Sequence, residues 1–400
     1  MEIAATLPAP VLPYRSIKKR EQAPLLQGLE KKIVLFLIKL RVVCIACITL
    51  KHPGRIVKTL NRLVKLRSNI WAGDLKKIYR VGGKYYFNQY TPGWPSKAHD
   101  LLIKDELKRQ SRPNEVERLS FVFLAITRKC PLRCEHCLEW NNLNQPETFT
   151  RQELFQTIDM LHKDGVLQVH FSGGEPMVRF KDLLQLIRFA SRKMESWVLT
   201  SGFNFSRKNA ELLKQVGCTG IVVSLDHYQA EKHNQFRGSD SFDNATGAVN
   251  IALQTGFVVS LSVCATKEFI EEGSMMPYLE FAKSLGVHFV QVLEPKEVGR
   301  YKGKDVLLGK RHITELDAIF KLVNHHKSFR DYPTMLYHGY HQRKVGCFSG
   351  SRSLYVDSAG NVHACPFCQN HLYNIIDWIR NGNIRLPEYE SGCPRYGLMT

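Results

Sequence analysis

The chain has 400 residues, 44% hydrophobic and 23% charged, which is enough apolar material for a substantial core and excludes an intrinsically disordered chain. Its net charge of +19 is unevenly placed: residues 1–70 hold 14 Lys or Arg, Arg15, Lys18, Lys19 and Arg20 among them, against Glu2, Glu21 and Glu30, so this segment alone supplies +11. Eleven cysteines, an odd number clustered by spacing with no secretory signal pattern ahead of them, exclude a disulfide-built secreted scaffold and point to the cytoplasm.

Residues 33–50 (IVLFLIKLRVVCIACITL) are long enough to span a bilayer, but Lys39 and Arg41 sit in the middle, each costing roughly 2.5–3.5 kcal/mol at a helix centre. A simple transmembrane helix is therefore disfavoured. The two charges fall on nearly opposite sides of a helix, so no clean polar face forms, and spanning, lying on or avoiding a membrane all stay open. After His52, Pro53 and Gly54, residues 55–71 place Ile56, Leu60, Leu63, Val64 and Ile70 on one face and Lys58, Arg62 and Lys65 on the other, with Arg67 out of place. This basic amphipathic helix either lies in a membrane interface or packs on the rest of the fold. A basic block beside an apolar run suits an anionic membrane surface, with the protein peripheral to the inner face of the cytoplasmic membrane. It does not suit nucleic acid, because interleaved aromatics for base stacking are missing.

Residues 77–90 read as a hairpin about Gly82 and Gly83, residues 91–95 (TPGWP) as a break, and residues 104–110 as a short polar helix. From residue 121 short apolar runs alternate with helical patterns. Strands are predicted at 121–127, 166–172, 196–201, 220–226, 257–263 and 288–294, with helices such as 152–163, 181–193, 207–216 and 276–284 between them. Six such units make an α/β fold, a partial (β/α)6 barrel, whose chemistry belongs at the C-terminal ends of the strands. The expected organisation is a basic helical extension at 1–75, a hairpin and linker at 76–115, the barrel at 116–300, a helical linker at 301–346 and a small domain at 347–400.

Directly after the first barrel strand, Cys130, Cys134 and Cys137 form a C-x3-C-x2-C loop. Three closely spaced thiolates can hold three irons of a cubane cluster and leave the fourth iron open to a chelating ligand. A zinc site is the competing reading, but a second cysteine pair or a suitably spaced His is missing here. The second strand ends in Gly173, Gly174, Glu175 and Pro176, where glycines allow close backbone approach. In this arrangement the chain resembles the radical S-adenosylmethionine (SAM) superfamily over roughly residues 118–300. Thr200-Ser201-Gly202 is similar to the family's T-N-G, Ser224-Leu225-Asp226 to its S-L-D, and the segment from His233 to Arg237 and Gly238 to its H-x-x-x-R-G. The resemblance implies a SAM-binding [4Fe-4S] cluster on the three cysteines, with Gly173, Gly174, Glu175, Pro176, Thr200, Ser224 and Arg237 around the methionine end of SAM.

Cys347, Cys365, Cys368 and Cys393 offer four further thiolates, and their C-x12-G-x4-C opening resembles a SPASM domain. A full SPASM domain has seven cysteines, so the shortened twitch form with one auxiliary [4Fe-4S] cluster is implied, with structural zinc as the alternative. Residues 354–363 read as the hairpin this requires, with its turn at 357–361. Cys44, Cys47, Cys218 and Cys264 read as small buried side chains, the weak C-x2-C of the first two notwithstanding.

The resemblance implies that one electron, from a reductant such as flavodoxin or ferredoxin, cleaves SAM to methionine and a 5′-deoxyadenosyl radical that takes hydrogen from the substrate. Asp226 and Glu294, at predicted strand ends, are candidate acid-base groups. The substrate classes are a small or lipid-linked molecule at the membrane surface, a ribosomally made peptide, and, on net charge alone, RNA. A non-enzymatic iron-sulfur scaffold is a fourth class.

Overall fold

The computed structural model describes residues 25–74, 77–112 and 119–387; Cys393, Arg15, Lys18, Lys19 and Arg20 lie outside them. Helices α1 (Gly28–Leu50) and α2 (Pro53–Trp71) form a hairpin, turned at Lys51 in the left-handed conformation and restarted by Pro53, whose missing N–H is harmless in a first helical turn. One face of α1 is buried. Val34 packs with Leu26 and Ile78, while Ile45, Ala46 and Leu50 pack with Leu107 of α3 (Lys97–Ser111). Arg41 finds a partner on α3, its guanidinium lying 2.5 Å from Asp100.

The other flank of α1 is exposed. Leu29, Ile33, Phe36, Leu40 and Val43 recur every three or four residues and so form one stripe; at 100° per residue Lys39 lies about 80° from its centre, at its edge, while Arg41 lies about 120° away, toward α3. The helix is long and apolar enough to cross a membrane, yet it is half-committed to packing on protein. Cys44 and Cys47, expected to be buried, are exposed on this flank, because the apolar run faces outward as well as inward; Cys218 and Cys264 are buried.

Strands β1 (Tyr79–Val81) and β2 (Lys84–Tyr86) pair around Gly82 and Gly83, both with positive φ, as a two-residue turn between twisted strands requires. Then come the six expected parallel strands: β3 (Phe121–Ala125), β4 (Gln168–Ser172), β5 (Glu195–Thr200), β6 (Cys218–Ser224), β7 (Val258–Cys264) and β8 (Phe289–Leu293). A seventh, β9 (Thr334–Tyr337), lies inside the stretch expected to be a helical linker, and pairs parallel with β8. On the other edge, β10 (Ser353–Val356) pairs parallel with β3 and is followed by antiparallel β11 (Asn361–Cys365) and β12 (Cys368–Asn374). The order β12-β11-β10-β3-β4-β5-β6-β7-β8-β9 leaves β9 and β12 as the two free edges of the sheet, so the barrel is not closed.

Helices α4 (Arg151–Lys163), α5 (Phe180–Ala190), α6 (Arg207–Gln215), α7 (Ala230–Arg237), α8 (Phe242–Gln254), α9 (Lys267–Glu271), α10 (Met275–Leu285), α11 (Lys310–His325), α12 (His338–Val345) and α13 (Ile375–Arg380) follow in chain order. The main core buries alternate strand residues such as Val122, Leu124, Val169, Phe171 and Val198 against helices that include α4 and α5. Inside the barrel, Tyr79 and Tyr86 of the small hairpin pack with Trp197, Val222, Val258, Phe289 and Leu336. A methyl group on Gly220 would overlap the Trp197 ring, so this position must be bare. The floor of the barrel is thus filled, and open space remains at its C-terminal mouth.

Candidate active site

The cysteine loop leaves β3 at the mouth and is clamped from three sides. From β4, the Gly174 and Glu175 N–H groups donate to the carbonyls of Thr127 and Lys129, each at 2.8 Å. A side chain on Gly174 would overlap the Lys129 carbonyl; the glycine serves contact between two loops, not only approach to a ligand. From α7, the carbonyls of Phe236 and Arg237 accept from Glu135 and Arg133 at 3.0 and 3.2 Å. After β8, Arg300 donates its N–H to the Cys137 carbonyl at 3.0 Å, stacks its guanidinium over Trp140 at 4.3 Å, and is preceded by Gly299, where any Cβ would meet that same carbonyl. Asn144 completes the cradle by exchanging hydrogen bonds with the backbone of Cys130, at 3.1 and 3.2 Å.

The donor set fits an iron-sulfur cluster. Among the described residues no three His, Cys, Asp or Glu side chains converge as ligands of a single metal ion, whereas three thiols around one loop can each take a different iron of a cubane. Burial pushes the Cys130 and Cys137 thiols up to about 12, so their thiolates need bound cations beside them. Cys134 already faces one: an Arg237 N–H lies 3.5 Å from its sulfur.

Of the residues expected around SAM, Gly173, Gly174, Glu175, Thr200, Ser224 and Arg237 line one cavity with the three cysteines, and Pro176 is buried at the first turn after Glu175. Burial pushes the Glu175 carboxyl up, while the Ser201 hydroxyl and N–H at 2.6 and 2.7 Å and the Thr200 hydroxyl at 2.8 Å oppose that shift. Its carboxylate therefore joins the ends of β4 and β5.

Asp226 and Glu294 are placed differently from free acid-base groups. Burial would raise the Asp226 carboxyl, but the Arg237 guanidinium, 2.5 Å away, outweighs it and holds the group below the usual carboxylate range. Asp226 also accepts the Cys264 N–H at 2.9 Å. Glu294 is likewise held low against burial, by Lys296 at 2.8 Å, Arg343 at 2.6 Å and the Tyr337 hydroxyl at 2.7 Å. Both carboxylates are ion-paired, and the guanidinium that Asp226 holds is the one that reaches Cys134.

Glu139, two residues beyond the last cysteine of the loop, carries a link the motif does not reveal. Its buried carboxyl, raised by burial, accepts from Tyr355 at β10 and from Ser358 in the following turn, tying the cysteine loop to the C-terminal segment. In that segment the hairpin turn forms on Asp357, whose carboxylate accepts the Ala359 and Asn361 N–H groups at 2.9 and 2.8 Å. Cys365 and Cys368 are cross-strand partners, and the Cys365 thiol is lowered chiefly by its hydrogen bond with Cys368. Cys347 is buried close enough to act on Cys365, and Cys365 itself lines the same cavity as Cys130.

That cavity, of about 910 Å³, reaches from the cysteine loop past Leu336 and Tyr337 of β9 and Leu354 and Tyr355 of β10 to the inner faces of α1, α2 and α3.

Residues 124–274 match the radical SAM superfamily. The chain is 24% identical over 183 residues to the GTP 3',8-cyclase of Campylobacter fetus subsp. fetus, covering 44% of this chain and 56% of that protein. It is 28% identical over 234 residues to the GTP 3',8-cyclase of Aquifex aeolicus, covering 57% and 69%. The chain thus spans a little over half the length of the first curated relatives it matches. In fold it is similar to Streptococcus suis SuiB bound to the precursor peptide SuiA, with a TM-score of 0.55 and 14% identity, covering 70% of this chain and 68% of that one. The matched stretch runs from the end of β3 past β7 and takes in the clamped cysteine loop, so the chain carries a radical SAM domain, a domain that works with a [4Fe-4S] cluster and S-adenosylmethionine.

Proposed function

We propose that Cys130, Cys134 and Cys137 hold the SAM-binding cluster and that the enzyme modifies a substrate at the cytoplasmic face of a membrane. When bound, cluster and SAM supply a radical that removes a hydrogen atom from the substrate. The chain's own part is to fix the cysteine loop through Gly174, Gly299 and Asn144, to set Arg237 beside Cys134, and to cover the mouth with α1 to α3. Cys347, Cys365, Cys368 and Cys393 are assigned to one auxiliary metal centre, a reading supported by the pairing of Cys365 with Cys368 and the nearness of Cys347 to Cys365.

The observation that carries the membrane reading is the exposed apolar stripe on α1, edged by Lys39, in a helical hairpin whose α2 exposes Arg55, Lys58, Arg62 and Lys65. The charge of the cavity supports it further. Its inner cations Arg237, Lys296 and Arg352 are committed to Asp226, Glu294 and Glu106, so a polyanionic nucleotide would meet paired charges along the inner wall, while Lys39 and Arg67 lie on the helices at its outer end. A peptide substrate draws support from likeness of fold alone.

The test is co-sedimentation of anaerobically reconstituted full-length protein with anionic vesicles. Binding that only partly releases at high salt is expected, together with 5′-deoxyadenosine formation on reduction. A protein that ignores vesicles at low salt overturns the membrane reading, and one that makes no 5′-deoxyadenosine overturns the cluster assignment.

A further inference from the structure

We infer that the outer limb of the cavity is a channel for the hydrocarbon chain of an amphiphilic lipid with an anionic headgroup, an inference that rests on the membrane-surface reading above. The limb is walled by Ile38 and Val42 of α1, Leu63 and Ile70 of α2, and Leu102 and Ile103 of α3. Asn88, Thr91 and His99 add a few polar atoms to the lining, but these six side chains give a methylene chain apolar contact along its length.

The channel also has a door on the correct side. Val43 and Val64 line the cavity and are 42% and 59% exposed, so the limb reaches the surface between α1 and α2, beside the apolar stripe. At this opening each helix contributes one exposed cation to the lining, Lys39 from α1 and Arg67 from α2. The Arg67 pairing with Asp74, at 3.4 Å and exposed, is of the weak kind that an anionic headgroup can displace.

Deeper in, charge is cancelled. Glu106 is paired with Arg352 and Arg109, Glu294 with Lys296 and Arg343, and burial keeps His338 and His341 neutral. A headgroup therefore has cations at the opening and, among the described residues deeper in, meets paired ones, while a chain meets charge-compensated walls past β9 and β10 up to the cysteine loop. The orientation follows: the headgroup stays at the opening, and the chain is the part presented to Cys130, Cys134 and Cys137.

The experiment uses the reconstituted full chain on phosphatidylglycerol vesicles carrying a phosphatidylglycerol with a photoreactive diazirine near the end of its acyl chain. After irradiation, peptide mass spectrometry should find label on channel residues such as Leu63 and Ile103. Val42→Trp, and independently Leu102→Trp, should cut that internal label at least fivefold while the protein still sediments with the vesicles. Vesicle-bound protein labelled only on the outer stripe, at Ile33, Phe36 or Leu40, would overturn the channel and leave the membrane reading standing. Protein that neither sediments nor takes label would end both.

Discussion

Replacing Phe36 and Leu40 by Gln should weaken membrane binding without touching the fold. The two side chains are 65% and 49% exposed and belong to none of the buried clusters. Complete burial of a Phe or Leu side chain is worth roughly 1.5–3 kcal/mol; scaled by the exposed fractions, insertion of this pair into lipid contributes about 2 kcal/mol. That corresponds to an about thirtyfold fall in the partition coefficient. The assay is sedimentation with vesicles of graded phosphatidylglycerol content, at about 0.1 M salt, where charges still act over roughly 10 Å, and again at high salt, where they are screened. The parent protein should keep part of its binding in high salt, since the apolar contact persists. The double variant should lose that remnant first. Thermal unfolding of the variant should match the parent. A double variant that partitions within twofold of the parent would show that the stripe does not enter lipid.

Changing Cys130, Cys134 and Cys137 together to Ala should remove about four irons, one cubane's worth, from the reconstituted protein and abolish 5′-deoxyadenosine formation, read by iron analysis and chromatography. Gly174→Ala, which drives a methyl group into the Lys129 carbonyl, should lower iron uptake several-fold with secondary structure retained; full iron loading would refute the clamp. Glu106, despite burial, is held at about 2 by Arg352 and Arg109, against an ordinary value of 4.5. A folded-state value below the unfolded one means that its stabilisation is complete above about pH 4.5 and is lost as pH falls toward 2. Acid unfolding curves should therefore fall more steeply for the parent than for Glu106→Gln over that interval, and parallel curves would contradict it.

Much of this fold could be read in one dimension because its signals are local. Each of the six strands β3 to β8 announces itself by a short apolar run, and Gly82-Gly83 or Asp357 with Asn361 mark turns by chemistry confined to a few residues. The short β9, Thr334–Tyr337, was hidden because four residues between helices carry almost no period, and its place is set by β8. Arg41 looked like a defect in an apolar helix until Asp100, on another helix, supplied its partner. At the site, the cysteines and glycines form ordered motifs, but Glu139, Asn144 and Arg300 act through partners that the chain brings together only on folding. Asp226 and Glu294 were found by position at strand ends; what position could not reveal was the cations already resting on them.

The neighbour that β3 acquires on its outer edge has a consequence for how the protein is made. Ser353 pairs with Phe121, so the strand that carries the cysteine loop gains this edge partner only when nearly all of the described chain has been synthesised. The hydrogen bonds from Tyr355 and Ser358 to Glu139 arrive at the same late moment. On a ribosome the loop would emerge early and remain half-supported through most of translation. Assembly of a firm iron site is in this way deferred until the C-terminal strands are in place, and an interrupted chain is left without a finished redox centre.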